Sequence, residues 1–560
     1  MSAMEEGKTT LRFGVMVDGM DLQRWQAETI KMLTDNGMQL LLIIRNDEGT
    51  APKKGFFKRI KDYPFRKMFF QIWNHRFFRP ECKAMVPLSD YYDLENFEIL
   101  SCHPLHQGIS TIISNADNET IQNQKLDFIL RFGFNILSGD ILKVAKYGIW
   151  SFHHDDEMVY RGAPPGFWEF MQDNPVNGII LQKLTESLDK GVILKKVYYP
   201  TILHSYKAHL NQLYFESESL PLEVCNEIIR TGGIFEYESK STAPVYHAPR
   251  NGKMLKYWLL CPFRRLRFHL HDLFRQEDWD VAYAEVPLCN FIKNPQAHEK
   301  DFIWFKRRHL NTYYADPFVI TTAKDTYIFF ESYNYKKGKG TICVALKSER
   351  FKRHHEALSE PFHLSYPFVF EHDGTVYCIP EANASNRITL YRFNEERLAL
   401  EQDAVLLENI SAVDSTLYFK DGKWNLFFGL QKYSNIKLFR YLADDLRGPY
   451  EPYYNNPIKT DCQDARMAGA FINNGETLIR PGQESIRYYG TAVRLNEVQV
   501  MSEDYYSEAQ IGRIEPFSKS QFNQGLHTLN GNETMTVIDG KRFFFTFSGL
   551  FHQLKLKAKR

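Results

Sequence analysis

Five short segments in the second half of the chain recur roughly 48 to 61 residues apart, and this recurrence limits the possible folds more than any other feature. They are Ala315-Asp316-Pro317-Phe318, Ser365-Tyr366-Pro367-Phe368, Val413-Asp414-Ser415-Thr416, Ala465-Arg466-Met467-Ala468 and Leu526-His527-Thr528-Leu529. After each of the first four, a short turn leads into another strand pattern: Tyr327 to Glu331, Val376 to Pro380, Trp424 to Phe428 and Glu476 to Arg480. A repeat of this length cannot bury its apolar face alone and must stack on its neighbours. The pattern predicts an all-β five-bladed β-propeller over residues 278–555. The aromatic share of 15%, with 43 Phe and 31 Tyr, suits such a β-rich half.

The first half has a different period. Leu11 to Val17 is apolar, Leu22, Trp25, Ile30 and Leu33 recur at helical spacing, and Leu40 to Ile44 is a continuous apolar run. Strand patterns return at Phe97 to Ser101, Leu126 to Phe132, Gly148 to Phe152, Gly178 to Leu184 and Val192 to Tyr199, with helical segments around Ile141, Leu210 and Val224. Alternation of this kind predicts a Rossmann-type α/β domain with a parallel sheet over residues 11–240. Between the halves, residues 241–277 read as a basic aromatic helical linker interrupted at Pro262. At 560 residues, more than one core is expected.

The run with most chemistry is Gly148-Ile149-Trp150-Ser151-Phe152-His153-His154-Asp155-Asp156, followed by Tyr160-Arg161-Gly162-Ala163-Pro164-Pro165. A strand that ends in a His- and Asp-bearing loop is where open α/β sheets place ligands. With Leu126-Asp127 to Phe132-Gly133 upstream and Leu188-Asp189-Lys190-Gly191 downstream, residues 11–200 resemble the formyltransferase family, which includes methionyl-tRNA and sugar N-formyltransferases. The resemblance implies His153 and Asp189 as catalytic residues, Ser151 at the position of the family's asparagine, and 10-formyltetrahydrofolate as cofactor. Arg161 and Gly162 would shape the substrate loop. The chain departs from the family at Ser151 and at Asp155-Asp156-Glu157-Met158, which replaces the usual Ser-Leu-Leu-Pro stretch. No metal is expected; His154, Asp155 and Asp156 are the candidates for holding one, although an extended strand points neighbours opposite ways.

Tyr314-Ala315-Asp316-Pro317-Phe318, Phe330-Glu331-Ser332-Tyr333, Ile379-Pro380-Glu381-Ala382, Asp414-Ser415-Thr416-Leu417 and Arg480-Pro481-Gly482-Gln483 give residues 278–550 a resemblance to the N-terminal domain of plant glucosamine inositolphosphorylceramide transferases. Loops that open successive blades converge at one end of a propeller. Asp316, Glu331, Glu381, Asp414, Arg466, Arg480, Gln483 and His527 are therefore candidates for one glycan-binding pocket. Asp316 and Asp414 equally suit turn caps that hold blades together.

Together these features point to a formyl (acyl) transferase acting on an amino sugar of a glycolipid or surface-glycan precursor. The alternatives are a propeller-based glycan-processing enzyme and a non-enzymatic glycan- or lipid-binding scaffold. Residues 53–79 hold nine Lys or Arg against Asp62 alone, interleaved with Phe and Trp, and residues 253–275 repeat the theme, which suits an anionic membrane surface. Net charge is +1 and no nucleic-acid module is recognisable, so no nucleic acid is expected as partner. Eight scattered cysteines without a C-x-x-C pair, an N-terminus without an apolar core and no run of 18 apolar residues predict a cytoplasmic chain, peripheral at the inner face of the membrane.

Overall fold

A computed structural model describes residues 10–47, 65–107, 110–186, 191–306 and 311–545. The chain divides into two compact units, residues 1–268 and 269–560.

The first unit is built on β1 (Arg12–Val17), α1 (Arg24–Asp35), β2 (Gln39–Asn46), β3 (Glu98–Cys102), α2 (Asn115–Asn123), β4 (Phe128–Arg131), β5 (Ile149–His153), α3 (Phe167–Gln172), β6 (Val176–Lys183), β7 (Val192–Pro200), α4 (Tyr206–Ser217), α5 (Leu220–Thr231) and β8 (Tyr237–Glu238). The strands form one sheet in the order β8-β7-β6-β5-β4-β1-β2-β3. Strands β1 to β5 pair in parallel, while β6, β7 and β8 add antiparallel pairs. The parallel part is the one expected from the strand–helix alternation. From β1 the chain runs outward through β2 and β3, then returns to the other side of β1 for β4 and β5. The order therefore reverses between β1 and β4, and a crevice opens beyond the carboxyl ends of those two strands.

Helix α1 starts at a reciprocal cap in which the Gln23 N–H donates to Gln26 Oε1 at 2.9 Å. It buries Trp25, Ala27, Ile30 and Leu33, of which the large side chains are worth about 1.5–3 kcal/mol each. A further helix, α6 (Asn251–Phe274), runs through Pro262 without a break, where the sequence pattern predicts an interruption. Proline removes one helical hydrogen bond. Here the helix is anchored on both sides of it, by buried Met254 and Tyr257 before and by Arg264, bonded to Phe170 O and to Asp173 at 3.2 Å, after.

Among its described residues, the second unit contains five antiparallel sheets. The first contains Thr312–Thr321, Thr326–Asn334, Lys339–Leu346 and His354–Leu358; the second Ser365–His372, Thr375–Glu381, Arg387–Asn394 and Ala399–Glu408. The third contains Ala412–Lys420, Lys423–Leu430 and Lys437–Ala443 with two short edge strands; the fourth Ile472–Asn473, Leu478–Glu484, Ala492–Met501 and Tyr506–Ile514. The fifth joins both ends of the unit, pairing Arg275–Ala284 with Thr536–Phe545 and flanking them with Ile303–Trp304 and Leu529–Gly531. Its first strand begins at Arg275, within the segment expected as a linker.

The sequence repeat has a backbone counterpart. In the first three sheets the ladder skips from Ala315 to Phe318, from Ser365 to Phe368 and from Val413 to Thr416. The first skipped residue in each case, Asp316, Tyr366 or Asp414, is left-handed, with φ of 53°, 42° and 50°. Non-glycine residues reach this region at a cost of about 1–3 kcal/mol each, held there only when surrounding contacts over-determine them. All three are buried.

Candidate functional site

In the first unit a cavity of about 330 Å³ lies at the switch point between β1 and β4, at the lower end of the size range of small-molecule sites. Aromatic Trp25, Phe132, Phe152 and Tyr214 line one part of it, and Gln23, Gln26, Arg131, Ser151 and His153 the polar part. Trp25 meets Phe132, Phe152 and Tyr214 edge-on with ring centroids 5.0–5.4 Å apart, which fixes that wall.

Ser151 and His153 sit on β5, opposite Gln182 and Ile180 of β6. The Ser151 hydroxyl is buried and accepts from Arg131 Nη2 at 2.8 Å and from Nε at 3.3 Å. Arg131 ends β4, its third guanidinium nitrogen, Nη1, donates to Asn135 O, and among the described residues no carboxylate pairs with it. Burial pushes its pKa down, with only partial relief from Asp18. Sequence reasoning missed Arg131. The available signal was a cation closing the apolar strand pattern Phe128-Ile129-Leu130.

His154, Asp155 and Asp156 diverge rather than converge. The His154 ring stacks on Tyr214 at 4.0 Å with Nε2 3.1 Å from Ser217 Oγ, and burial holds it well below the usual imidazole range. Asp155 accepts the Gly166 N–H at 2.6 Å, while Asp156 pairs with Lys196 at 2.7 Å. These three therefore provide no shared metal site; they brace the loop. Gly162 lines the cavity at φ 103°, with its α-carbon packed so close to the Tyr246 carbonyl that a β-carbon has no room. Arg161 bonds Ala243 O at 3.4 Å and pairs in register with Val245. Asp189 lies outside the described residues.

Behind the loop, Glu169 is fully buried next to Asp155. Burial pushes Glu169 up to about 8, and burial together with Glu169 pushes Asp155 well above the carboxylate range. A carboxyl raised in the fold contributes stability that is complete below its unfolded pKa and is lost as pH rises through the folded one. Glu169→Gln is therefore expected to leave the first unit's stability unchanged near pH 4.5 and to raise it at pH 8, at up to about 1.4 kcal/mol for each pH unit between. Thermal unfolding of both proteins across that range measures it.

In the second unit, every sheet contributes to a buried ionic centre. Asp316 Oδ2 accepts the Tyr366 N–H at 3.1 Å and Oδ1 accepts from Thr528 Oγ1 at 2.9 Å, while the Asp316 N–H donates to Asp539 Oδ2 at 3.2 Å. His527 lies between two carboxylates, with Nε2 3.0 Å from Asp316 and Nδ1 2.7 Å from Asp539. Burial opposes its charge, but Asp539 and Asp316 outweigh burial and push the imidazole up to about 10. Despite burial, His527 and Thr528 in turn hold Asp316 below its usual value.

Asp414 is clasped by Arg466, which also reaches Glu381 at 3.6 Å, and accepts from Gln483 Nε2 at 3.1 Å. The Arg466 guanidinium lies 4.9 Å from the Tyr489 ring centroid. Burial, then Asp414, push Glu381 well above the carboxylate range against the pull of Arg466, and burial with Asp316 does the same to Glu331. The centre thus brings together Asp316, Glu331, Glu381, Asp414, Arg466, Gln483 and His527. Arg480 stands apart, bonded to Glu508 at 2.5 and 2.7 Å and to Asp464 O at 2.9 Å. Asp539, invisible in the sequence repeat, completes the ring of charges. Among the described residues, Asp316, His527 and Asp539 are the one group of three metal-ligand types whose donor atoms gather. His527 pairs with both acids, so the three form a salt-bridged triad.

By fold and site, the chain joins an α/β sheet with a cavity at its switch point to a β-rich unit built on buried charge. Residues 271–541 match the family profile described as glucosamine inositolphosphorylceramide transferase 1, N-terminal. Glucosamine inositolphosphorylceramide transferase 1 of Arabidopsis thaliana is 30% identical over 271 residues, 44% of this chain and 34% of that protein. Methionyl-tRNA formyltransferase of Prochlorococcus marinus is 27% identical over 109 residues, 19% of this chain and 31% of that protein. A thermostable family-43 glycoside hydrolase superposes with a TM-score of 0.30 at 15% identity, over 37% of this chain and 78% of that one. The chain spans about a third of the length of the curated relatives it matches.

Proposed function

We propose that this chain is a glycan-modifying transferase whose first unit delivers a formyl group to an amino sugar, while the second holds the glycan or glycolipid that carries it. The observation that carries this reading is the cavity at the β1–β4 switch point, where Arg131, Ser151 and His153 line one wall. Acyl transfer to an amine builds negative charge on the carbonyl oxygen under attack, and preorganised donors aimed at that oxygen lower the barrier. Arg131 provides a charged donor, Ser151 a hydroxyl positioned by it, and His153 an imidazole on the same strand. The carboxylate of Asp189 is proposed to take the proton that the amine gives up.

10-Formyltetrahydrofolate, when bound, supplies the formyl group. The residues present fit it: the aromatic wall of Trp25, Phe132, Phe152 and Tyr214 suits a flat ring system, and the polar wall suits its carbonyl. For the second unit we propose a five-bladed propeller. Five consecutive sheets, a fifth sheet closed by both ends of the unit, and loop residues that meet at one polar centre all support it. Similarity of residues 271–541 to a family named for transfer to inositolphosphorylceramide supports a glycolipid as the acceptor class.

The test is turnover of the purified full chain with 10-formyltetrahydrofolate and glucosamine-bearing acceptors, free and lipid-linked. His153→Ala is expected to lower the rate by about 10²–10⁴-fold. No formylated product with any acceptor would overturn the donor assignment. One observation favours a second reading, glycan processing in the second unit: burial and the neighbouring Asp414 push Glu381 well above the carboxylate range, which suits a general acid with a second carboxylate beside it. Glycan turnover that survives His153→Ala but is lost in Asp316→Ala with Glu381→Ala would establish it.

A further inference from the structure

Two stretches far apart in sequence are tied side by side in the first unit. Asn251, at the start of α6, accepts the Phe69 N–H at 3.1 Å and donates to Phe65 O at 2.8 Å, and the rings of Phe69 and Trp258 lie 5.6 Å apart. The inner side of α6 is spent on packing: Met254 and Tyr257 are buried, and Arg264 turns inward to Phe170 O and Asp173.

The outer side is apolar where a water-facing helix would be polar. Leu255, Leu259, Phe263 and Leu266 follow one another at spacings of four, four and three, so they form one stripe along the helix. They are 51%, 76%, 62% and 59% exposed. Lys256 and Arg267 border the stripe on one side and Arg265 on the other, all exposed. The adjoining segment adds exposed Phe65, Ile72 and Phe77 with Arg66, Arg76 and Arg79. Residues 65–79 and 251–268 together hold nine Lys or Arg and no Asp or Glu, in a chain whose net charge is only +1.

We infer that this face docks on an anionic lipid bilayer, with α6 lying in the interface and its Leu/Phe stripe inserted among the acyl chains. Exposed apolar side chains bordered by cations are complementary to a surface that is negative at the headgroups and apolar beneath. A polyanion in water would use the cations and leave the stripe bare. No helix of the described residues is long and apolar enough to cross a membrane, so the contact is peripheral. The inference is independent of the reaction proposed above, because binding is read without turnover.

Flotation of the full chain with phosphatidylcholine vesicles, with and without phosphatidylserine, tests it. Binding is expected only with the anionic vesicles, weakening steeply with salt. Arg265→Glu with Arg267→Glu is expected to weaken it by at least about 25-fold, since each cation near such a surface is worth about fivefold. Leu259→Ser with Phe263→Ser is expected to weaken it by at least about tenfold. All four side chains are solvent-exposed, so unchanged thermal unfolding of both variants shows that the fold is intact. Equal binding to both vesicle types, or binding that survives the serine pair, would overturn the proposal. So would a wild-type chain that self-associates through the stripe, dissociates in the serine variant and ignores vesicles.

Discussion

Between pH 6.5 and about 10 the second unit is expected to lose stability, by about 1.4 kcal/mol per pH unit from His527 alone, because His527 keeps its proton in the fold long after an unfolded histidine has released it. The raised pKa sets the sign: the contribution of His527 is complete below 6.5 and gone once pH has passed through about 10. Its cause is local. Asp316 and Asp539 flank the ring at 3.0 and 2.7 Å in a site that excludes water, so deprotonation leaves two buried carboxylates without their shared counter-ion. Glu331 and Glu381 push in the same direction, since both are held neutral in the fold and ionise on unfolding. Denaturant unfolding of the full chain at successive pH values measures the slope, with Trp279, 4.1 Å from the His527 ring, as a nearby fluorophore. His527→Gln is expected to be less stable at pH 6.5 and to flatten the decline. A slope that persists unchanged in that variant would refute the assignment to His527.

The two units were unequally legible. In the first, apolar runs and helical spacing were sufficient to place the strands within a residue or two, because each strand packs its own contiguous side chains. Arg131 was hidden for a specific reason: a cation at a strand end looks solvated until the strand order is known. Only the reversal between β1 and β4 turns that end into the wall of a cavity. In the second unit the repeat marked Asp316, Asp414 and His527, whose chemistry is local to the inner loops. What it could not mark was the pairing of Arg275–Ala284 with Thr536–Phe545, since no local pattern encodes a partner more than 250 residues away. It also could not separate Arg466 from Arg480. Both are arginines of the fourth repeat, yet one clasps Asp414 and the other Glu508.

Replacing Arg131 with methionine is expected to reduce formyl transfer by about 10²–10³-fold, the effect of removing one preorganised donor from a developing oxyanion. The loss should fall on kcat, with KM moving little, because the donor acts on charge that appears only as the carbonyl is attacked. Stability should not fall with it. Arg131 loses solvation in the fold and Asp18 offsets that only in part, so an apolar side chain of similar length removes the desolvation cost there. That opposition, slower chemistry in an equally or more stable protein, distinguishes a catalytic cation from a structural one. Ser151→Ala is expected to cost only about tenfold, since the hydroxyl is held by Arg131 at 2.8 Å and contributes a neutral hydrogen bond. Arg131→Lys should recover part of the lost rate through its charge, but not all, since an ammonium lacks the fork that reaches both Ser151 and Asn135. Turnover at the wild-type rate in Arg131→Met would remove the guanidinium from the mechanism and leave His153 as the electrophilic group of the cavity.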